Sequence, residues 1–446
     1  MTLLSGPRAL VAGVSLGALA CASTITPAPP ASDAGVVLFD VPDGASGDRG
    51  TTEDREGVAD RGVVDEDVAV DAGPCEGASC REAVDLYRSG VASIARLRDG
   101  TYMGWGATSR ATFGATGDND FGNGPRTTPI VDGGRRLALG HYFSCLYDPG
   151  TGVRPPVCWG LNADAAFRAD RLGVNTLFRF AVEVPGLPRP VRSMILGAAP
   201  NLCVVLDDSS YWCRGANYQD GMGLGAQVES VPQFVRLPMF EPALRGPEQN
   251  RGGRMFGVIR QDGTILLRGT SQNFDLGDGV QSAETRTAVV RNVAGAVRFH
   301  LAFGGCARLS SGDFACWGDW VTPEGEIRPG ARSHPANGAA VVPWMRGSTD
   351  ECIGSAFVCG LFPGGRVRCA GANDQGQTGA GVQSDEEPPT DVPIPAVVTQ
   401  LRCGAQSVCV LTRDGAVYCW GSNGSGQAGQ PRSQEPLLRP TRVRWD

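Results

Sequence analysis

The chain contains no lysine: all 40 basic residues are arginine. A phosphate-cradling loop of the G-x-x-x-x-G-K type needs that Lys, so the glycine-rich stretches are not read as nucleotide sites. Histidine is also scarce, with His141, His300 and His334 far apart in sequence, which disfavours a histidine-rich metal centre. Aromatic residues are only 7%, and H-E-x-x-H is absent. Glycine (63), proline (31) and cysteine (15) are plentiful, a mixture that points to many short strands joined by tight turns, not to a helical bundle. At 446 residues the chain is too long for one ordinary core but suits a repeat architecture.

The net charge of −7 disfavours general nucleic-acid binding, and it is unevenly placed. Residues 22–80 hold 13 acids against three Arg, so residues 81–446 are close to neutral. The segment is rich in Pro, Asp, Gly, Ala and Ser and has few large apolar side chains. It is expected to be a disordered acidic linker over residues 21–80. Upstream, Arg8 precedes ALVAGVSLGALA (residues 9–20), a run short for a membrane span and fitting a signal peptide over residues 1–20. Two export readings stand. Ala18-Leu19-Ala20 fits ordinary signal peptidase, and Ala18-Leu19-Ala20-Cys21 resembles a bacterial lipobox, in which Cys21 carries lipid.

Beyond residue 81 one pattern recurs. GAVYCWGSNGSGQAG (residues 415–429) has relatives at VCWGLNAD (from Val157), WCRGANYQDGMGLG (Trp212), ACWGDW (Ala315) and RCAGANDQGQTGAG (Arg368). Copies without Cys begin at Met103 and Leu266. The residue before the shared Gly is Trp105, Trp159, Arg214, Arg268, Trp317, Ala370 and Trp420, at intervals of 49–55. Seven copies at a period near 50 indicate a repeat architecture. Within a copy, a short apolar run, an Asp-Gly or Gly-Gly turn and a second apolar run make a hairpin, and a polar Gly-rich loop follows. Four short strands per copy, seven times over, predict a β-propeller.

The N-x-x-G-Q-x-G loops at Asn423-Gly426-Gln427-Gly429 and Asn373-Gly376-Gln377-Gly379, with the Cys-Trp-Gly run before the first, resemble the regulator of chromosome condensation repeat family. The resemblance covers residues 84–446, is weakest in the first, fourth and fifth copies, and implies an all-β, seven-bladed β-propeller over residues 81–446. In that frame Trp105, Trp159, Trp317 and Trp420 are expected to pack between blades.

The cysteines carry a second pattern. Cys203/Cys213, Cys306/Cys316, Cys359/Cys369 and Cys409/Cys419 are spaced by ten, and Cys145/Cys158 by 13, one on each arm of a hairpin. Opposed residues on paired strands come close enough for a disulfide, whereas one hairpin supplies only two of the four ligands a metal needs. Cys75, Cys80, Cys352 and Cys403 can pair in three ways, Cys75–Cys80 with Cys352–Cys403 being the simplest. The odd total is resolved if Cys21 carries lipid. Such pairing places the chain in an oxidising compartment.

The remaining motifs carry little chemistry. Asp118 and Asp120 are spaced like early calcium-loop positions, but no Glu completes the loop. Asn423-Gly424-Ser425 is a glycosylation sequon inside a repeat loop and is read as structural. The expectation is a non-enzymatic, monomeric scaffold without cofactor or metal. It would bind an unknown protein or surface polymer through its loops, and sit lipid-anchored in a bacterial envelope (outer membrane favoured) or be secreted. A carbohydrate-active enzyme with channel carboxylates, for which Asp207, Asp208, Asp220 and Glu229 are the candidates, is the alternative. Guanine-nucleotide exchange is opposed by export, disulfides and an acidic tail.

Overall fold

In blade 7 the run SVCVLT forms the strand Ser407–Thr412, buried at every position because both of its faces are packed against neighbouring blades. Gly415, at φ 73°, turns the chain, and the Gly415 amide donates to the Thr412 carbonyl at 2.9 Å. The third strand, Val417–Gly421, ends at the shared Gly of the repeat. Gly421 has φ 93°, and a Cβ there would meet the Gln406 carbonyl oxygen at 2.5 Å. Only glycine fits both the left-handed backbone and the close approach. The fourth strand, Leu437–Arg442, completes the blade outside the first, Val398–Cys403.

The same unit occurs seven times. The computed structural model describes residues 81–445 except 91, 108–112, 114–123, 151–153, 169–175, 198, 250–253 and 330–337. These fall within one compact unit, Val63–Asp446, built of seven four-stranded antiparallel sheets. Cys21, Cys75, Cys80, Asp118 and Asp120 lie outside the described residues, as do the leader and the acidic linker.

The first strands of the seven blades are Ala83–Arg88, Arg136–Leu139, Val191–Leu196, Ala243–Gln249, Ala296–Ala302, Asp350–Ile353 and Val398–Cys403. Each contacts the first strand of the next blade, the last contacts the first, and the ring closes as a seven-bladed β-propeller. Blades 1 and 5, two of the copies weakest in sequence, keep fourth strands of only two residues, Arg126–Thr127 and Ala340–Val341.

The hydrophobic core is divided into seven clusters, one at each blade boundary. At the closing boundary Trp105 of blade 1 stacks on Trp445, with ring centroids 6.3 Å apart. The Trp445 Nε1–H donates to the Arg81 carbonyl at 2.9 Å, and the Ala83 amide to the Gly415 carbonyl at 3.0 Å. Closure therefore rests on packing and a few hydrogen bonds between blade 7 and blade 1, each of which is built from its own consecutive strands.

Candidate functional site

The ten hairpin cysteines sit on the second and third strands of blades 2, 3, 5, 6 and 7, each directly opposite its partner. Cys145–Cys158, Cys203–Cys213, Cys306–Cys316, Cys359–Cys369 and Cys409–Cys419 are bonded at Cα separations of 4.0–4.1 Å. In blades 1 and 4 the same register position holds Ile94 opposite Gly104 and Gly257 opposite Leu267. Leu267 fills the space beside Gly257, where a Cβ would meet Leu267 Cδ2 at 2.4 Å. A small–large apolar pair thus replaces the bridge. Cys352–Cys403 differs in kind: it joins the first strand of blade 6 to that of blade 7, with Cα atoms 5.4 Å apart.

The Trp position of the repeat packs between blades and in four of them also donates across the boundary, whereas the buried Trp105 Nε1–H makes no hydrogen bond among the described residues. Trp105, Trp317 and Trp420 are fully buried and Trp159 nearly so. Trp420 Nε1–H donates to the Gln377 carbonyl of blade 6, and Trp317 Nε1–H to the Asp275 carbonyl of blade 4, both at 2.9 Å. The two arginines at this position do likewise. Arg214 donates to the Ala165 carbonyl of blade 2 (3.1 Å), and Arg268 to the Asp220 carbonyl of blade 3 (2.9 Å). Each thus ties its blade to the third-to-fourth-strand loop of the blade before. Blade 6 has Ala370 at this position.

Those loops are shaped from within. The buried Asn423 accepts the Ala428 amide at 3.1 Å and donates to the Pro431 carbonyl at 2.7 Å. Asn162, Asn217 and Asn373 likewise accept the amide five residues on, from Phe167, Met222 and Thr378. Asn423 is thereby committed to its own loop.

The carboxylates proposed for the channel are elsewhere. Asp207 and Asp208 occupy the turn between the second and third strands of blade 3, where Arg189 pairs with both. Asp220 pairs with Arg268 in an interblade loop, and Glu229 is exposed at the entry to the fourth strand. None lies on a first strand, because acids in turns and loops are carried to the faces and rim of the propeller.

A different set meets near the axis, on the first strands of blades 4 to 7 together with Arg308 of the second strand of blade 5. Asp350 is paired by Arg298 of blade 5 (2.7 Å) and Arg402 of blade 7 (3.3 Å). Buried Glu351 accepts Arg308 Nε at 2.7 Å and lies 3.7 Å from His300 Nε2. Burial pushes the Glu351 carboxyl up, but His300 and Arg308 outweigh it and hold it down at about 2. Glu248 of blade 4 is half-buried, and loss of solvent around its carboxyl lifts it to about 7 against the pull of His300 and Arg298. These residues fall outside the repeat motif, and the packing of successive blades brings them together.

Among the described residues, no group of three or more His, Cys, Asp or Glu is arranged to hold a metal ion. No described helix is long and apolar enough to cross a membrane.

Residues 398–427 match the regulator of chromosome condensation (RCC1) repeat. No curated protein matches the chain. Among solved structures, Prp20p from Saccharomyces cerevisiae, described with its binding to Gsp1p and histones, aligns with a TM-score of 0.61 at 14% identity, covering 76% of this chain and 85% of that one. Yeast RCC1 (Prp20) bound to Kap60 gives 0.61 at 14%, covering 82% and 85%. Human WBSCR16 gives 0.55 at 17%, covering 72% and 84%. The chain thus carries a regulator of chromosome condensation repeat at its C-terminal end, within a propeller whose fold those structures share.

Proposed function

We propose that this protein is a non-enzymatic scaffold, tethered to a bacterial cell envelope through Cys21, that binds a protein or surface polymer through one loop face. The supporting observation is an arc of exposed apolar side chains on the face formed by the first-to-second-strand turns and the third-to-fourth-strand loops. Tyr218, Val280, Phe303 and Val382 come from four successive blades and are 44%, 43%, 54% and 49% exposed. Aromatic anchors on a rigid frame are the usual centre of a protein-binding surface. Prp20p, which shares the fold and is described with its binding to Gsp1p and histones and bound to Kap60, is consistent with this use of the fold, but fold alone does not assign a function.

The test is capture of a partner from the native envelope by the full-length chain. Phe303→Asp and Tyr218→Asp are expected to abolish capture, and Val131→Asp, on the opposite face, to leave it intact. Equal capture by all three variants would refute the face assignment. Mass spectrometry of the mature N-terminus tests the anchor separately, and an unmodified Cys21 removes it.

A second reading, an extracellular carbohydrate-active enzyme, draws support from the axial Glu248, whose carboxyl near 7 suits proton transfer at neutral pH. Polysaccharide cleavage that is lost in Glu248→Gln would favour it over the scaffold.

A further inference from the structure

We propose that the Cys352–Cys403 bridge is a thiol–disulfide exchange site, open to small thiols and dithiols at Cys403, while the five hairpin bridges are closed to them. The first observation is accessibility. All ten hairpin cysteines are 0–1% exposed, sealed between blades. Cys352 is 7% exposed and Cys403 is partly open. Exchange requires the attacking thiolate to reach a sulfur directly, so access decides which bridge reacts.

The second observation is position. Cys403 is the last residue of the first strand of blade 7, and Cys352 lies on the first strand of blade 6, so the bridge joins two blades at the edge of the apolar cluster between them. Gly404, the next residue, begins the turn at the loop face. A side chain there would collide with Arg88, whose Nε lies 2.6 Å from the place a Cβ would take. Arg402 precedes Cys403 and pairs with Asp350. Arg88 itself donates to Cys409 Sγ and Ser407 Oγ, so access and not charge distinguishes the Cys352–Cys403 bridge from the hairpin bridges.

The third observation is what each bridge joins. A hairpin bridge links opposed residues of two strands that stay hydrogen-bonded when it opens, so its sulfurs remain placed to close again. Cys352 and Cys403 belong to different sheets, and opening their bridge leaves the blade 6–7 boundary to the Asp350–Arg402 pair, hydrogen bonds such as Trp420 Nε1–H to the Gln377 carbonyl and the Ser355 amide to the Ala405 carbonyl, and apolar packing.

The exchange balances with a dithiol. One thiolate attacks Cys403 Sγ, forming a mixed disulfide as the Cys403–Cys352 bond breaks and Cys352 leaves as a thiolate. The second thiolate of the reagent attacks its own mixed-disulfide sulfur and releases Cys403. The reagent ends as a cyclic disulfide, and the bridge has gained two electrons and two protons.

The experiment treats the folded, full-length protein with graded dithiothreitol, quenches with iodoacetamide and maps alkylated peptides by mass spectrometry. Cys352 and Cys403 are expected to be labelled together, at least about tenfold faster than any hairpin cysteine, with the fold retained by circular dichroism. Labelling of hairpin cysteines at the same rate would overturn the proposal. So would a Cys352–Cys403 pair that stays unlabelled until the protein unfolds.

Discussion

Trp420 Nε1–H donates to the Gln377 carbonyl at 2.9 Å across the boundary between blades 7 and 6, and Arg268 makes the same link to Asp220 between blades 4 and 3. Two unlike side chains share a repeat position because each combines bulk with an N–H that reaches the preceding loop. Trp420→Phe keeps most of the bulk and removes the donor. It is expected to cost about 1–3 kcal/mol by leaving a buried carbonyl unpaired. Trp420→Ala adds a cavity and should cost about 3–5 kcal/mol. Chemical denaturation of both variants checks the difference.

Asn423→Ala strands the Ala428 amide and the Pro431 carbonyl inside the loop. A loss of about 1–3 kcal/mol is expected. Because the fault is local, hydrogen exchange should rise first in residues 423–431.

The two axial glutamates give stability opposite pH dependences. Glu351 is held at about 2 in the folded protein, below its ordinary 4.5. Its contribution is complete above pH 4.5 and fades as pH falls towards 2. Glu248 is raised from 4.5 to about 7, so the folded state binds its proton more tightly. That contribution is complete below pH 4.5 and lost as pH rises towards 7. Each shift corresponds to roughly 3 kcal/mol. Glu248→Gln should flatten the decline between pH 4.5 and 7, and Glu351→Gln the one below 4.5. Denaturation midpoints across pH 2–8 read both effects.

Removing bridges should follow the length of chain they close. On a loop-entropy basis the ten-residue Cys409–Cys419 bridge contributes about 3 kcal/mol, and Cys352–Cys403, separated by 51 residues, about 4 kcal/mol. Paired Cys→Ala variants, compared by calorimetry, are expected to rank in that order.

Much of the propeller was legible before any coordinates, because a repeat states the same local physics several times. Asp-Gly turns, opposed cysteines and a shared Gly after Trp or Arg each mark a place where only certain residues satisfy the backbone. Their recurrence at a period near 50 counted the blades. The task of Arg214 and Arg268 was within reach too, since both occupy a Trp position and both carry N–H donors.

The sequence by itself determined the hairpin, the staple and the number of blades, since these depend on residues close together along the chain. The tertiary structure alone decided what meets at the axis. Glu248, His300 and Glu351 share no motif and lie on three successive blades, so their proximity follows from the packing of one blade's first strand on the next. Asp207, Asp208, Asp220 and Glu229 stay in the turns and loops of blade 3. A local pattern shows which way a side chain leaves its own strand, whereas its neighbours in the next blade are set by packing between sheets.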